Sequence, residues 1–203
     1  MNTGRRLLLL GPLLLPLAAQ AEDPDAAAPI QALNQGLLAG MRAGKRTPFM
    51  QRYSTLAPLV ERAFDIPGVL QASVGPRLGG LPADQQGRLL DLFRKFTIAS
   101  FVANFDDYAG ERIEVLAEQR SVGADAVVAT QIIPARGEPT RIDYVMHRTA
   151  SEWRAIDVLL NGSISQNAVK RSDFRALIGS GDAARLIESL QRKVADLSGG
   201  ALS

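Results

Sequence analysis

The one histidine of the chain, His147, is the first candidate for catalysis, because imidazole transfers protons readily near neutral pH. A Ser-His-Asp triad would need it, but the sequence lacks the Gly-x-Ser-x-Gly motif that presents a nucleophilic serine. Along its predicted strand, His147 alternates with Tyr144 and Met146 and so faces the opposite side, toward solvent. We therefore predict no catalytic residue.

Metal ligation has few candidate side chains. With one histidine and no cysteine, thiolate sites are excluded and only carboxylate clusters are left. Asp106 and Asp107 are adjacent on a predicted helix, where successive side chains point about 100° apart, so they cannot easily share one ion. Helix capping or solvation explains them better, and we predict no metal site.

Two other carboxylates, Asp143 and Asp157, fall in predicted strands, as the acid pair of a glycosidase could. Each has a basic residue close in sequence, Arg141 and Arg154 respectively. Ion pairs between neighbouring strands are the simpler interpretation of this pattern.

The N-terminus carries the layout of a secretory signal peptide. Arg5 and Arg6 precede an apolar stretch at residues 7–17, and Ala19-Gln20-Ala21 has the small-x-small pattern of a cleavage site. The apolar stretch is shorter than the roughly 20 residues of a spanning helix. We predict that residues 1–21 are a cleaved signal peptide and that residues 22–28 are a flexible mature N-terminus.

The predicted mature chain carries no net charge. The full sequence has 23 Lys and Arg against 21 Asp and Glu, and cleavage removes only Arg5 and Arg6, leaving 21 of each. Nucleic-acid binding usually requires a basic face, so we predict no nucleic-acid partner. Without cysteines the exported protein must be stabilised mainly by apolar burial, for which 46% hydrophobic residues suffice.

The hydrophobic period changes twice along the chain and predicts an α+β fold. Helical spacing runs from Pro29 to a long segment at residues 84–108, and alternation with short turns then predicts an antiparallel meander of four strands. Two helices follow, at residues 166–178 and 182–197. We assign residues 29–198 to a single domain and residues 199–203 to a disordered tail.

The long helix and the sheet offer more apolar surface than a single face needs. Phe93, Phe96, Phe101 and Phe105 dominate the helix. A curved antiparallel sheet with helices over one face could enclose a deep pocket between them. A solid core is the simpler interpretation, and composition alone favours it.

Several segments together resemble the MlaC family of periplasmic phospholipid carriers. They are residues 64–70, residues 153–158, residues 161–165 and residues 171–174, in this order and spacing. Residues 105–108, 144–146 and 171–174 resemble most the branch of this family associated with hopanoid biosynthesis. The sequence differs from the phospholipid carriers at Pro76-Arg77, where an aromatic residue usually follows the glycine.

The resemblance implies a nuclear-transport-factor-like fold, with a curved four-stranded antiparallel sheet covered by helices and an apolar cavity between them. It also implies a periplasmic protein that carries phospholipid or hopanoid between inner and outer membranes. Its partners would be the lipid and a membrane-bound transport complex, with only transient membrane contact and no cofactor. The residues that we expect to line the cavity are Leu70, Val74, Leu89, Phe93, Phe96, Phe101, Val115, Val128, Tyr144 and Val158.

Two other classes of function stay open. An isomerase-like enzyme acting on a lipid or isoprenoid would need a buried carboxylate in the pocket, for which Asp157 and Asp143 are the candidates. A scaffold that binds proteins without a ligand would have a filled core.

Overall fold

The computed structural model describes residues 25–202, and the predicted signal peptide at residues 1–21 lies outside this range. In the described part the helices precede and follow the strands, as the α+β prediction requires. The elements are α1 (Ala28–Ala43), α2 (Phe49–Ala63), α3 (Ile66–Val74), a 3-10 helix (Gly75–Gly80), α4 (Ala83–Asn104), β1 (Arg112–Val122), β2 (Asp125–Ile133), β3 (Thr140–Arg148), β4 (Trp153–Leu160), β5 (Ile164–Ser165), α5 (Gln166–Arg175) and α6 (Ala184–Ser198).

The strands form one antiparallel sheet in the order β1-β2-β3-β4-β5. The prediction of an antiparallel meander is confirmed, but its count of four strands is wrong. The fifth strand has only the two residues Ile164 and Ser165, which pair with Leu160 and Leu159. Two residues are too few to show a period, so this strand could not be found from alternation.

Two irregularities interrupt the regular pairing of the sheet. In β1 the register with β2 shifts between Val115 and Gln119. Between β3 and β4, Val145 pairs with Asp157 while Met146 pairs with Ala155, which leaves one extra residue on β4. Bulges of this kind bend a strand and increase its twist.

The long helix α4 lies at the centre of the helical layer and packs against α6, α2 and α3. Leu89, Phe93, Ile98 and Val102 on it are almost completely buried. The helix ends at Asn104 rather than at residue 108, the predicted end. Two carboxylates in a last turn at 106 and 107 would interact unfavourably with the negative end of the helix dipole, which accounts for the earlier end.

One cluster of buried apolar residues extends from Ile30 on α1 to Leu190 on α6 and includes the sheet residue Met146. Residues 199–202, predicted as a disordered tail, form turns after α6, where the Gly200 N–H donates to the Ala195 carbonyl (2.8 Å). Within residues 25–202, no helix is both long enough and apolar enough to cross a bilayer.

Candidate binding cleft

A cleft of about 410 Å³ separates α4 from the helix-facing side of β3 and β4, and α5 borders it. Its volume lies within the range of about 300–1,000 Å³ of small-molecule sites in proteins. We call it the α4–sheet cleft. Its lining residues are Phe64, Val69, Phe93, Phe96, Thr97, Ser100, Phe101, Asn104, Phe105, Ile142, Tyr144, Asp157, Val158, Leu160, Gln166, Asn167, Val169, Lys170 and Asp173.

The α4 wall of the cleft is aromatic. Phe93 and Phe96 lie with ring centroids 6.3 Å apart, and Phe101 stacks against Phe105 at 6.2 Å. The two hydroxyl residues between them donate inside the helix, Thr97 to the Phe93 carbonyl (2.8 Å) and Ser100 to the Phe96 carbonyl (2.7 Å). Because these donors are already satisfied, the wall is mainly apolar.

The floor of the cleft is the helix-facing side of the sheet. Ile142 and Tyr144 on β3 alternate inward, and Tyr144 lies opposite Val158 on β4. The Tyr144 ring meets Phe64 edge-on, with centroids 6.1 Å apart. Burial raises the pKa of the Tyr144 phenol above its ordinary value of 10.0, because the phenolate would lose its hydration.

The rim of the cleft on α5 carries charge. Lys170 and Asp173, one turn apart on this helix, both line the cleft. Burial lowers the pKa of Lys170, and the nearby carboxylates of Asp157 and Asp173 act in the opposite direction. A ligand in the cleft would therefore meet apolar walls inside and ionisable groups at the rim.

Half of the residues predicted to line a cavity border this cleft. Phe93, Phe96, Phe101, Tyr144 and Val158 do. The others, Leu70, Val74, Leu89, Val115 and Val128, lie in or against the core cluster and do not border it. Whether the first group contacts a lipid stays a prediction.

The sequence interpretation missed the α5 side of the cleft entirely. Gln166, Val169, Lys170 and Asp173 lie on a short helix with few apolar residues, so no hydrophobic stripe marks it. The one available signal was Val169, an apolar residue that is 42% exposed in the structure.

Asp157, one of the two candidate acids, borders the cleft and is held by hydrogen bonds. Its Oδ1 accepts from the backbone N–H of Val158 (2.8 Å) and of Asn167 (3.1 Å). Its Oδ2 accepts from the hydroxyl of Ser165. These bonds attach the carboxylate to the start of α5.

The second candidate acid, Asp143, does not border the cleft and is completely buried. Arg120 Nη1 lies 2.8 Å from its Oδ2, and Arg141 Nε lies 2.9 Å from its Oδ1. Hydrogen bonds to Asp143 and Glu118 raise the pKa of Arg141 further. The carboxylate is thus paired with two guanidinium groups, as the ion-pair interpretation predicted.

The remaining chemistry-bearing residues lie apart from the cleft. His147 Nδ1 lies 2.7 Å from Asp125 Oδ1 on an exposed part of the sheet. Asp106 pairs with Lys45 at 3.5 Å. Among the residues that the structure describes, no group of three or more histidine, aspartate or glutamate side chains could hold a metal ion.

Two further depressions are lined differently. One, of about 420 Å³, lies between α4 and α6 and has Arg88, Asp91, Lys95 and Arg192 on its walls. The other, of about 610 Å³, is near the start of α1 and includes Asp25, Arg62 and Glu152. Neither has the aromatic wall of the α4–sheet cleft.

Residues 31–192 match the family model described as MlaC protein. The chain belongs to the MlaC family. Its fold is shared with a phospholipid-binding protein from Ralstonia solanacearum, whose structure was solved in complex with a phospholipid. The two chains superpose with a TM-score of 0.72 at 18% identity, over 86% of this chain and 99% of the other. No protein of curated function matches this MlaC family member significantly.

Proposed function

We propose that this MlaC family member binds a lipid in the α4–sheet cleft and transfers it between membranes without covalent change. The observation that carries the proposal is the cleft itself, with its aromatic wall of Phe93, Phe96 and Phe101 opposite the apolar floor residue Val158. The fold shared with a protein solved in complex with a phospholipid supports it.

The energetics of lipid transfer explain why such a cleft is useful. Each buried CH₂ group is worth about 0.8 kcal/mol, so an acyl chain in water is unfavourable by on the order of 10 kcal/mol. Phe96 and Phe101 offer apolar surface that replaces the membrane interior during transit. The same binding energy is recovered on release into a bilayer, so no chemical step is required.

The two candidate acids favour a carrier over an isomerase-like enzyme. General acid or base catalysis requires a carboxyl group that can reach the substrate and exchange a proton with it. Asp157 is hydrogen-bonded to the start of α5, and Asp143 is paired with Arg120 and Arg141 away from the cleft.

The cellular setting completes the proposal. The signal-peptide pattern at residues 1–21 and membership of the MlaC family both point to the periplasm. There the protein would exchange lipid with a membrane-bound transport complex and touch membranes only transiently, moving phospholipid or hopanoid between the inner and outer membranes. The hopanoid possibility rests on the resemblance at residues 105–108 and 144–146.

Lipid extraction and vesicle transfer test this function. The protein exported to the periplasm and purified without detergent should carry a lipid that mass spectrometry identifies, and it should move fluorescent lipid from donor to acceptor vesicles. Phe96→Asp should abolish transfer because it places a charge on the cleft wall. Met50→Asp is the matched control, since Met50 is exposed on α2 and does not border the cleft. A protein without lipid that transfers none would contradict the proposal.

A further inference from the structure

Tyr144 is the polar side chain nearest the middle of the cleft floor. It lies on β3, with Val128 opposite on β2 and Val158 opposite on β4. Its ring packs edge-on to Phe64, and only 3% of the residue is exposed. The phenol is therefore surrounded mainly by apolar side chains while bordering the α4–sheet cleft.

The hydroxyl of Tyr144 has no hydrogen-bond partner among the side chains and backbone groups of the described residues. Other polar groups around the cleft do have partners, including Thr97, Ser100 and Asn167. A buried hydroxyl without a partner destabilises a protein, and phenylalanine would occupy the same space without that cost. The unused donor thus indicates an acceptor that arrives with the ligand.

We infer that Tyr144 is a specificity-determining residue that donates a hydrogen bond to an ester carbonyl of the bound lipid. This inference rests on the proposed function. In an ester-linked glycerolipid, a carbonyl oxygen stands where the apolar chain meets the polar head, so the chain would lie along Phe93 and Phe96 while the head lies toward the rim.

The charges at the rim agree with this orientation. Lys170 and Asp173 on α5 border the same cleft as Tyr144 and offer charged partners for a polar head group. A polycyclic hydrocarbon such as the hopanoid skeleton has no carbonyl to accept from the phenol and would leave it unpaired. The cleft is consequently better suited to ester lipids than to hopanoids.

The test compares ester and ether linkages in otherwise identical lipids. Wild type and Tyr144→Phe are each offered a diester phospholipid and its diether analogue, with the same head group and chain length, in competition followed by native mass spectrometry. Because an ether oxygen is a weaker acceptor than a carbonyl, wild type should favour the diester by on the order of threefold to tenfold. Tyr144→Phe should lose this preference and keep its affinity for the diether.

Control variants separate this effect from misfolding. Tyr53→Phe removes a hydroxyl on α2 outside the cleft and should keep the wild-type preference. Tyr144→Phe should melt at the same temperature as wild type or above it, because it removes an unpaired buried group. A free fatty acid of equal chain length forms a third arm, and sensitivity to Tyr144→Phe confined to that acid would overturn the assignment of an ester.

The two proposals fail differently. If wild type binds the diester and diether equally, the role of Tyr144 is overturned while lipid binding stands. If neither lipid binds to wild type, the proposed function fails, and the inference fails with it.

Discussion

Ser165, the residue that caps the N-terminus of α5, donates its hydroxyl hydrogen to the carboxylate of Asp157 on β4. The same hydroxyl oxygen accepts from the Ala168 N–H (3.1 Å), and the Asn167 N–H donates to Asp157 Oδ1 (3.1 Å). Two strands of the sheet are thereby joined to the helix that borders the α4–sheet cleft. The carboxylate of Asp157 has a structural part in the cleft that accounts for its position.

Replacing Asp157 by alanine should loosen α5 and weaken lipid retention. The change leaves the Ser165 hydroxyl and the Asn167 N–H without their acceptor, which should lower the free energy of unfolding by about 1–3 kcal/mol. Urea denaturation measures this loss, and hydrogen exchange should show faster exchange in α5 than in α6.

Asp157→Asn is the matched variant for the same position. Its amide oxygen can still accept from Val158 and Asn167, so we expect it to retain most of the stability and the lipid transfer. An enzyme that used Asp157 as its acid would instead lose all turnover in Asp157→Asn while remaining fully folded.

His147→Ala should leave lipid transfer unchanged. The imidazole is exposed and contacts Asp125 on the sheet, away from the cleft. Loss of an exposed pair costs at most about 1 kcal/mol. Vesicle transfer and thermal melts of the variant check this, and a large loss of transfer at unchanged stability would give His147 a functional role.

Phe93→Asp should destabilise the fold and abolish lipid binding together. Phe93 is completely buried, packs edge-on to Phe174 with centroids 6.4 Å apart and also borders the cleft. A carboxylate there would lose its hydration and the aromatic contacts, at an expected cost on the order of 3–5 kcal/mol. Chemical denaturation gives the value. Met50→Asp, on an exposed surface, should change stability by no more than about 0.5 kcal/mol.

The general fold was predictable because the periods of hydrophobicity are long and distinct. The switch from helical spacing in α4 to alternation in β3 correctly predicted helices and an antiparallel sheet. Features shorter than a period were lost. The two-residue strand β5 and the end of α4 at Asn104 depend on pairing and on local charge, which alternation does not report.

The candidate site was predictable only in part, for a similar reason. Phe93, Phe96 and Phe101 were found because aromatic side chains on one helix are visible in the sequence. Choosing which apolar residues line a cleft and which, like Leu89, fill the core needs the packing of α5 against the sheet. That packing follows from the contact of Ser165 with Asp157, eight positions apart in sequence.

The stability of wild type should fall more steeply than that of Tyr144→Phe as the pH rises above about 10. Burial raises the pKa of the phenol in the folded protein above the unfolded value of 10.0. The native state therefore holds this proton more tightly, and the stabilisation is present below about pH 10 and is lost as the pH rises toward the folded pKa.

Urea unfolding of both proteins at several pH values measures the difference between them. In that difference, the opposing shifts of Tyr53 and Lys170 cancel because both residues are present in each protein. The limiting slope is about 1.4 kcal/mol per pH unit for one proton. A difference that does not change with pH would mean that the Tyr144 phenol is accessible to water.

Removing bound lipid should lower the melting temperature of the protein. The cleft interrupts the apolar packing between Phe101 on α4 and Val158 on the sheet, and the sequence has no cysteine for a disulfide that could compensate. A ligand that binds only the native state stabilises it by RT ln(1 + [L]/Kd), which is about 4 kcal/mol at a thousandfold excess over Kd. For a domain of this size we expect a drop on the order of 10 °C.

Thermal melts before and after delipidation, with native mass spectrometry of each sample, measure this effect. Lipids with long apolar bodies should restore the melting temperature, while short-chain and water-soluble analogues should not, because only the former cover the aromatic wall formed by Phe96 and Phe101. Phe96→Asp, with its charge on that wall, should melt at one temperature whether or not lipid is added. If the wild-type melt also ignores every lipid, the space between α4 and the sheet is not a ligand site, and a carrier function is untenable.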